Sequence, residues 1–304
     1  MTSISAKLDD ISTGAGGADL SGAQVSRLGS CWTLYLLTLR QHLHGRRWIA
    51  LAVLFMLPAG LAVVIQSTRA RAPDTFLDFL LSWILIPQAL LPLIALLYAS
   101  GIIQDEQEDQ TITYLLIRPL PKWLLYIVKM IATWTTTVVL VVLLTVLTYA
   151  AIYIRSDVPV ADVAARCFKT AAIQSLAVVT YCSIFGLLGL LTKRSLIVGI
   201  LYTVVVEGLF ANLPLSVRMS TVIYYTRIMA YRTLSFGVTW PNGDQNDVAA
   251  EAWFLDVASD PQLKEHPRLL SCVLVLSVIS VVCTVIAAAL CSQREFHVKT
   301  PEKD

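Results

Sequence analysis

Residues 102–123 read IIQDEQEDQTITYLLIRPLPKW. Four acids, Asp105, Glu106, Glu108 and Asp109, crowd its first half, and Arg118-Pro119-Leu120-Pro121 nearly closes it. An apolar run stands on each side, from about Leu80 to Ile103 and from about Met130 to Ile154. A helix needs about 20 apolar residues to cross the hydrocarbon core. The segment therefore reads as a charged loop between two membrane crossings.

The same criterion finds six runs in all. The others are Trp48 to Ile65, about Thr170 to Leu191, Ser195 to about Leu213, and Leu269 to Cys291. Composition agrees: of 304 residues, 56% are hydrophobic and 14% charged, against about 25% charged in a soluble domain. Mean hydropathy is +0.69. The expected fold is an all-α membrane protein with six transmembrane helices. No basic stripe points to nucleic acid. The six cysteines form no CxxC pair and no Cys/His ligand spacing, so they read as apolar fillers rather than a disulfide frame or metal site.

Six crossings place both termini on one side, and short-loop Lys and Arg choose which. Lys7, Arg27, Arg40, Arg46 and Arg47 precede the first run; Arg118, Lys122 and Lys129 follow the second; Lys193 and Arg194 follow the fourth; Arg294, Lys299 and Lys303 follow the last. The opposite side holds Arg69, Arg71, Arg155, Arg166 and Lys169 in short loops, and a long loop over 216–268 that counts for less. Both termini are expected to be cytoplasmic and the 216–268 loop external.

Residues 1–30 are rich in Ser, Gly and Ala and read as a mobile cytoplasmic tail. In 31–47, Trp32, Leu36, Leu39 and Leu43 recur at helical spacing, with Thr33, Arg40, Gln41 and His44 off that stripe. This pattern predicts an amphipathic helix lying in the interface plane, with His42 and His44 as interfacial polar groups. A single transmembrane domain then covers 48–292, and 293–304 form a second cytoplasmic tail. In the external loop, STVIYYTRIMAYRTLSFGV suits the membrane interface and TWPNGDQND reads as a turn.

The opening segment now falls in the first cytoplasmic loop, 104–129. Acids favour a helix start and Pro119 stops a helix near Arg118, which predicts a short helix from about Glu108 to Ile117. Ile112, Leu115 and Leu116 share one side, with Tyr114 and Ile117 opposite. A short helix apolar on two sides needs a second surface besides its own bundle.

The series Glu106-x-Glu108-x-x-Thr111, then Tyr114-Leu115-Leu116, Arg118-Pro119, Lys122 and Lys129 resembles the first cytoplasmic loop of ABC transporter permeases of the type-2 exporter class. Gln110 stands where that family usually has Gly. The resemblance implies a coupling helix that docks into a separate ATP-binding subunit. Glu106 and Glu108 would contact the partner, Thr111 would cap or bend the helix start, and Tyr114, Leu115 and Leu116 would form the buried dock. Arg118 would pair with the acids or with lipid phosphate. It further implies two permease copies per complex, with ATP and Mg bound by the partner chain; no GxxxxGK[ST] loop occurs here. Short outer helices would cap the exit.

One charge lies within an apolar run. Glu207, in VVVEGLF, is costly at the bilayer centre. It reads either as a pathway or interface group, or as a carboxyl hydrogen-bonded across the bundle to Gln88 or Thr180. Gln88 is the other candidate pathway residue. Asp78 reads as solvated at the outer end of the second run, and Thr135, Thr136 and Thr137 as bonding their own helix carbonyls. Two rival functions stay open: a secondary transporter or channel using Glu207, with Pro87 and Pro92 breaking a helix, and an intramembrane enzyme, for which no paired catalytic residues are evident in the runs.

Overall fold

The computed structural model describes residues 27–44, 47–67, 74–102, 121–154, 156, 158–192, 194–212, 216–234, 236–239, 245–247 and 267–293. The chain runs α1 (Arg27–His44), α2 (Arg47–Ser67), α3 (Asp74–Ala99), α4 (Lys122–Tyr153), α5 (Val160–Leu191), α6 (Ser195–Asn212), α7 (Val222–Thr233), β1 (Gly237–Thr239), β2 (Gln245–Asp247) and α8 (Leu269–Gln293). Among the described residues, α3, α4, α5, α6 and α8 are long and apolar enough to cross a membrane. The first predicted run lies in α2, a 21-residue helix whose apolar stretch is Met56–Ile65.

Apolar runs become helices here because lipid offers the backbone no hydrogen-bond partner. Several helices extend beyond the apolar runs. The 32-residue α4 and α5 span about 48 Å at 1.5 Å per residue, well beyond a hydrocarbon core of about 30 Å. Pro121 and Pro159 stand immediately before them, where a missing N–H costs nothing.

α5 is the central helix and touches α3, α4, α6, α7 and α8. Small residues let it approach closely. A Cβ on Gly186 would lie 2.7 Å from the Tyr126 hydroxyl, and one on Gly189 would lie 2.7 Å from the Ser100 carbonyl oxygen. Polar pairs join the helices elsewhere: Thr145 donates to Gln174 Oε1 at 2.6 Å, Tyr149 and Thr170 share a 2.8 Å bond, and Ser183 meets Ser280 at 2.8 Å. Thr135, Thr136 and Thr137 do bond their own helix carbonyls, at 2.8–3.1 Å. Cys182, Cys272 and Cys291 are buried among apolar neighbours.

α1 packs on α4, with Leu34 and Thr38 buried, while Trp32, Leu36 and Leu37 face outward. Tyr35 Oη donates to Thr135 at 3.1 Å, and His42 Nδ1 lies 3.3 Å from Thr136 Oγ1. One expectation changes: Asp78 is not solvated but buried and ion-paired with Arg166 of α5 at 2.8 Å. The described fold is almost wholly helical, and a short hairpin, the three-pair antiparallel ladder of β1 and β2 with Gly237 opposite Asp247, takes in both ends of the stretch that reads as a turn.

Candidate functional site

The residues predicted to dock a partner, Glu106, Glu108, Thr111, Tyr114, Leu115, Leu116 and Arg118, lie outside the described residues. Both places where the described chain borders that segment are tied to the bundle. Lys129, buried on α4, donates from Nζ to the Ile102 carbonyl at 3.3 Å. Cys291 Sγ of α8 lies 3.7 Å from the Lys122 carbonyl oxygen.

The other candidates, Glu207 and Gln88, are brought together by α7. Glu207 sits in α6 within wide turns over Thr203–Leu209, where Phe210 N–H reaches Val205 O. Gln88 sits in a similar widened stretch of α3, Phe79–Leu90, where Leu91 N–H reaches Ile86 O. Pro87 lies inside this stretch; it has no N–H and crowds the preceding turn, which disfavours tight winding. Such widened turns are frequent at functional sites.

After α6 the chain turns through Ser216–Ser220 and goes back among the helices as α7. Seven of its twelve residues are buried, Val222, Ile223, Tyr224, Thr226, Arg227, Ile228 and Met229, and it packs chiefly on α5 and α8. Its N-terminus would orphan backbone donors deep in the bundle. Glu207 meets two: Val222 N donates to Oε1 and Ile223 N to Oε2, each at 3.0 Å. Thr221 Oγ1 accepts the third, from Tyr224 N, at 3.3 Å. The Tyr202 hydroxyl donates to Glu207 Oε1 at 3.3 Å. A carboxyl group against a helix N-terminus satisfies donors that would otherwise be orphaned, which accounts for an acidic residue within an apolar run. Its partners are thus neither Gln88 nor Thr180; Thr180 donates to the Leu276 carbonyl at 3.3 Å.

Further along α7, Arg227 spans two helices. Nη1 donates to Asn212 Oδ1 of α6 at 3.0 Å, and Nη2 donates to Gln88 Oε1 of α3 at 3.2 Å. The guanidinium also stacks 5.0 Å from the Trp83 ring centre, a cation–π contact. Burial pulls it below the ordinary arginine value, to about 10, which leaves it cationic at neutral pH. Beside it, Ser82, Trp83, Gln174, Thr226, Arg227 and Leu234 border a cavity with room for about one water.

Sequence reasoning found Glu207 and Gln88 but missed Arg227, Asn212, Tyr202 and Thr221. One signal was present: Thr221 directly before VIYY has the form of a helix N-cap. Nothing in the sequence showed that this helix start would meet a carboxylate from the preceding apolar run. Both Glu207 oxygens accept backbone amides, so the geometry is that of a helix anchor.

Comparison with curated proteins finds no match. Residues 43–208 match the family described as ABC-2 family transporter protein. The match covers more than half the chain, takes in α2 through most of α6, and includes both the 103–120 segment and Glu207. A multi-pass helical bundle carrying that match identifies the chain as a member of the ABC-2 transporter family, a membrane permease.

Proposed function

We propose that the chain is the permease subunit of an ATP-driven exporter, forming the substrate pathway and coupling to a separate ATP-binding subunit through the 104–129 loop. The observation that carries this is the family match across residues that include the acidic, Pro-closed segment between α3 and α4. The Lys129–Ile102 bond supports it, because a loop held at its root passes force into α3 and α4 rather than dissipating it. Glu106, Glu108, Thr111, Tyr114, Leu115, Leu116 and Arg118 form the docking surface. α1 rides on α4 through Tyr35 and His42 and is the second element placed to carry motion into the bundle.

In this reading the chain sits in the cell membrane with both termini in the cytoplasm. ATP and Mg are bound by the partner, and two permease copies pair in the complex. ATP binding drives transport only if it favours one permease conformation over another, since a ligand shifts an equilibrium by its differential affinity.

The test is co-purification from native membranes in mild detergent, wild type against a Glu108→Lys, Leu115→Asp double variant. An ATPase that accompanies only the wild type supports the docking surface. If neither chain brings an ATPase, the exporter reading is wrong.

A further inference from the structure

We propose that the outward face of α1 is a seat for anionic phospholipid, with Trp32, Leu36 and Leu37 set into the lipid and Arg40 at its phosphate. The inference rests on the cytoplasmic N-terminus proposed above and adds the chemistry of what covers this helix.

α1 lies across the bundle rather than along it. Tyr35 and His42 stand about 10 Å apart along a helix axis, yet they meet Thr135 and Thr136, which are neighbours on α4. A helix running beside α4 would meet it at contacts spaced as widely as its own residues. His42 also packs on Tyr98, ring centres 4.9 Å apart, next to the end of α3 at Ala99. α1 thus crosses α4 at the level where α3 ends. It is not among the described helices long and apolar enough to cross a membrane. A helix so placed lies in the plane of the interface.

Leu34 and Thr38 of α1 are buried. On the opposite side two rows are exposed at helical spacing, Trp32, Leu36 and Arg40 in one, Thr33, Leu37 and Gln41 in the other. The first row passes from apolar to cationic within two turns. Trp32 stacks on Tyr35, ring centres 5.5 Å apart, and such rings favour the headgroup level. An arginine stem lies along apolar neighbours while its guanidinium reaches outward, where its paired donors fit phosphate oxygens.

Charge selects the kind of lipid. From Arg27 to Arg47 the chain holds four arginines and no acid. A zwitterionic surface offers this excess nothing, because its own charges cancel. An anionic leaflet attracts it by a factor of about five for each arginine near the surface. A second copy of α1 is the wrong occupant, since a self-complementary contact would bring the same cations together.

The experiment uses the full chain with its native cysteines replaced and a bimane label on Leu37→Cys. It is reconstituted into bilayers of phosphatidylcholine and phosphatidylglycerol, with one or the other lipid brominated. Quenching by bromine reads which lipid lies against the label. We expect brominated phosphatidylglycerol to quench more strongly at equal content, a preference that falls as salt is raised. Arg40→Gln should lower the preference about fivefold, and Arg40→Lys should keep it. A label on Val139→Cys, exposed on α4, reports the ordinary lipid boundary and should show no such preference. Equal quenching at position 37 by the two lipids would overturn the inference. So would quenching by neither, which would mean that water or protein covers the face, or a preference that neither salt nor Arg40→Gln changes. These outcomes overturn the inference alone, because neither sidedness nor an ATPase enters them. A Ser3→Cys variant tests the sidedness: reaction with an impermeant maleimide from outside intact cells would overturn the cytoplasmic placing together with the leaflet assigned here.

Discussion

Arg166 of α5 reaches Asp78 of α3 with two nitrogens on one oxygen: Nη2 lies 2.8 Å and Nε 3.2 Å from Oδ2. Asp78 is fully buried, whereas the Arg166 side chain keeps 20% exposure. The pair ties the start of α3 to the central helix, at the end of the bundle where Tyr149 and Tyr153 stack 5.9 Å apart. Removing the acid leaves a partly buried cation beside Tyr149 and Tyr153 without its carboxylate. Asp78→Ala is expected to destabilise the protein by about 3 kcal/mol, the lower end for breaking a buried pair. The double variant Asp78→Leu, Arg166→Leu should recover most of that. Thermal unfolding in detergent reads both; equal losses for single and double variants would show that packing, not the pair, matters there.

Glu207→Ala should cost about 2–6 kcal/mol, taking roughly 1–3 for each of the two amides it orphans. Glu207→Gln keeps one acceptor but turns a donor toward the other amide, so its loss should be smaller than that of Ala and still measurable. Limited proteolysis of proteoliposomes should show faster cleavage within 216–233 for both. Wild-type cleavage rates in both variants would mean that α7 is held by its packing alone.

Glycines distinguish rigid from yielding neighbours. A Cβ on Gly189 meets the Ser100 backbone carbonyl at 2.7 Å, and backbone cannot step aside. A Cβ on Gly199 meets only the end of the Leu96 side chain, which can change rotamer. Gly189→Ala should destabilise by about 1–3 kcal/mol through overpacking, and Gly199→Ala by less. Gly60 has nothing within 4 Å of such a Cβ, so Gly60→Ala should be neutral or stabilising by up to about 1 kcal/mol from helix propensity. Melting temperatures in one detergent rank the three.

α1 is held to α4 by Tyr35–Thr135 and His42–Thr136, and His42 also packs on Tyr98 of α3, ring centres 4.9 Å apart. Tyr35→Phe with His42→Ala removes both hydrogen bonds, about 1 kcal/mol each. The expected result is a spin label at position 32 that becomes more mobile while the global melt moves by only a few degrees. An immobile label in the double variant would assign the docking to Leu34 and the backbone instead.

The sequence alone determined the class of molecule. A lipid environment forces apolar runs of sufficient length to be helical, so composition within each run settles most of the fold before any contact is considered. It also determined the family, because the acid, Leu-Leu and Arg-Pro order from Glu106 to Pro119 is local and needs no knowledge of what it touches. Only the tertiary structure decided what Glu207, Asp78 and α7 do. Glu207 finds its amide partners 15 and 16 residues away, beyond a chain reversal, and Asp78 finds Arg166 at a separation of 88. Hydropathy registers each of these as an isolated cost. The compensating partner is chosen by three-dimensional packing, and a buried charge is tolerated only where that packing delivers donors to it.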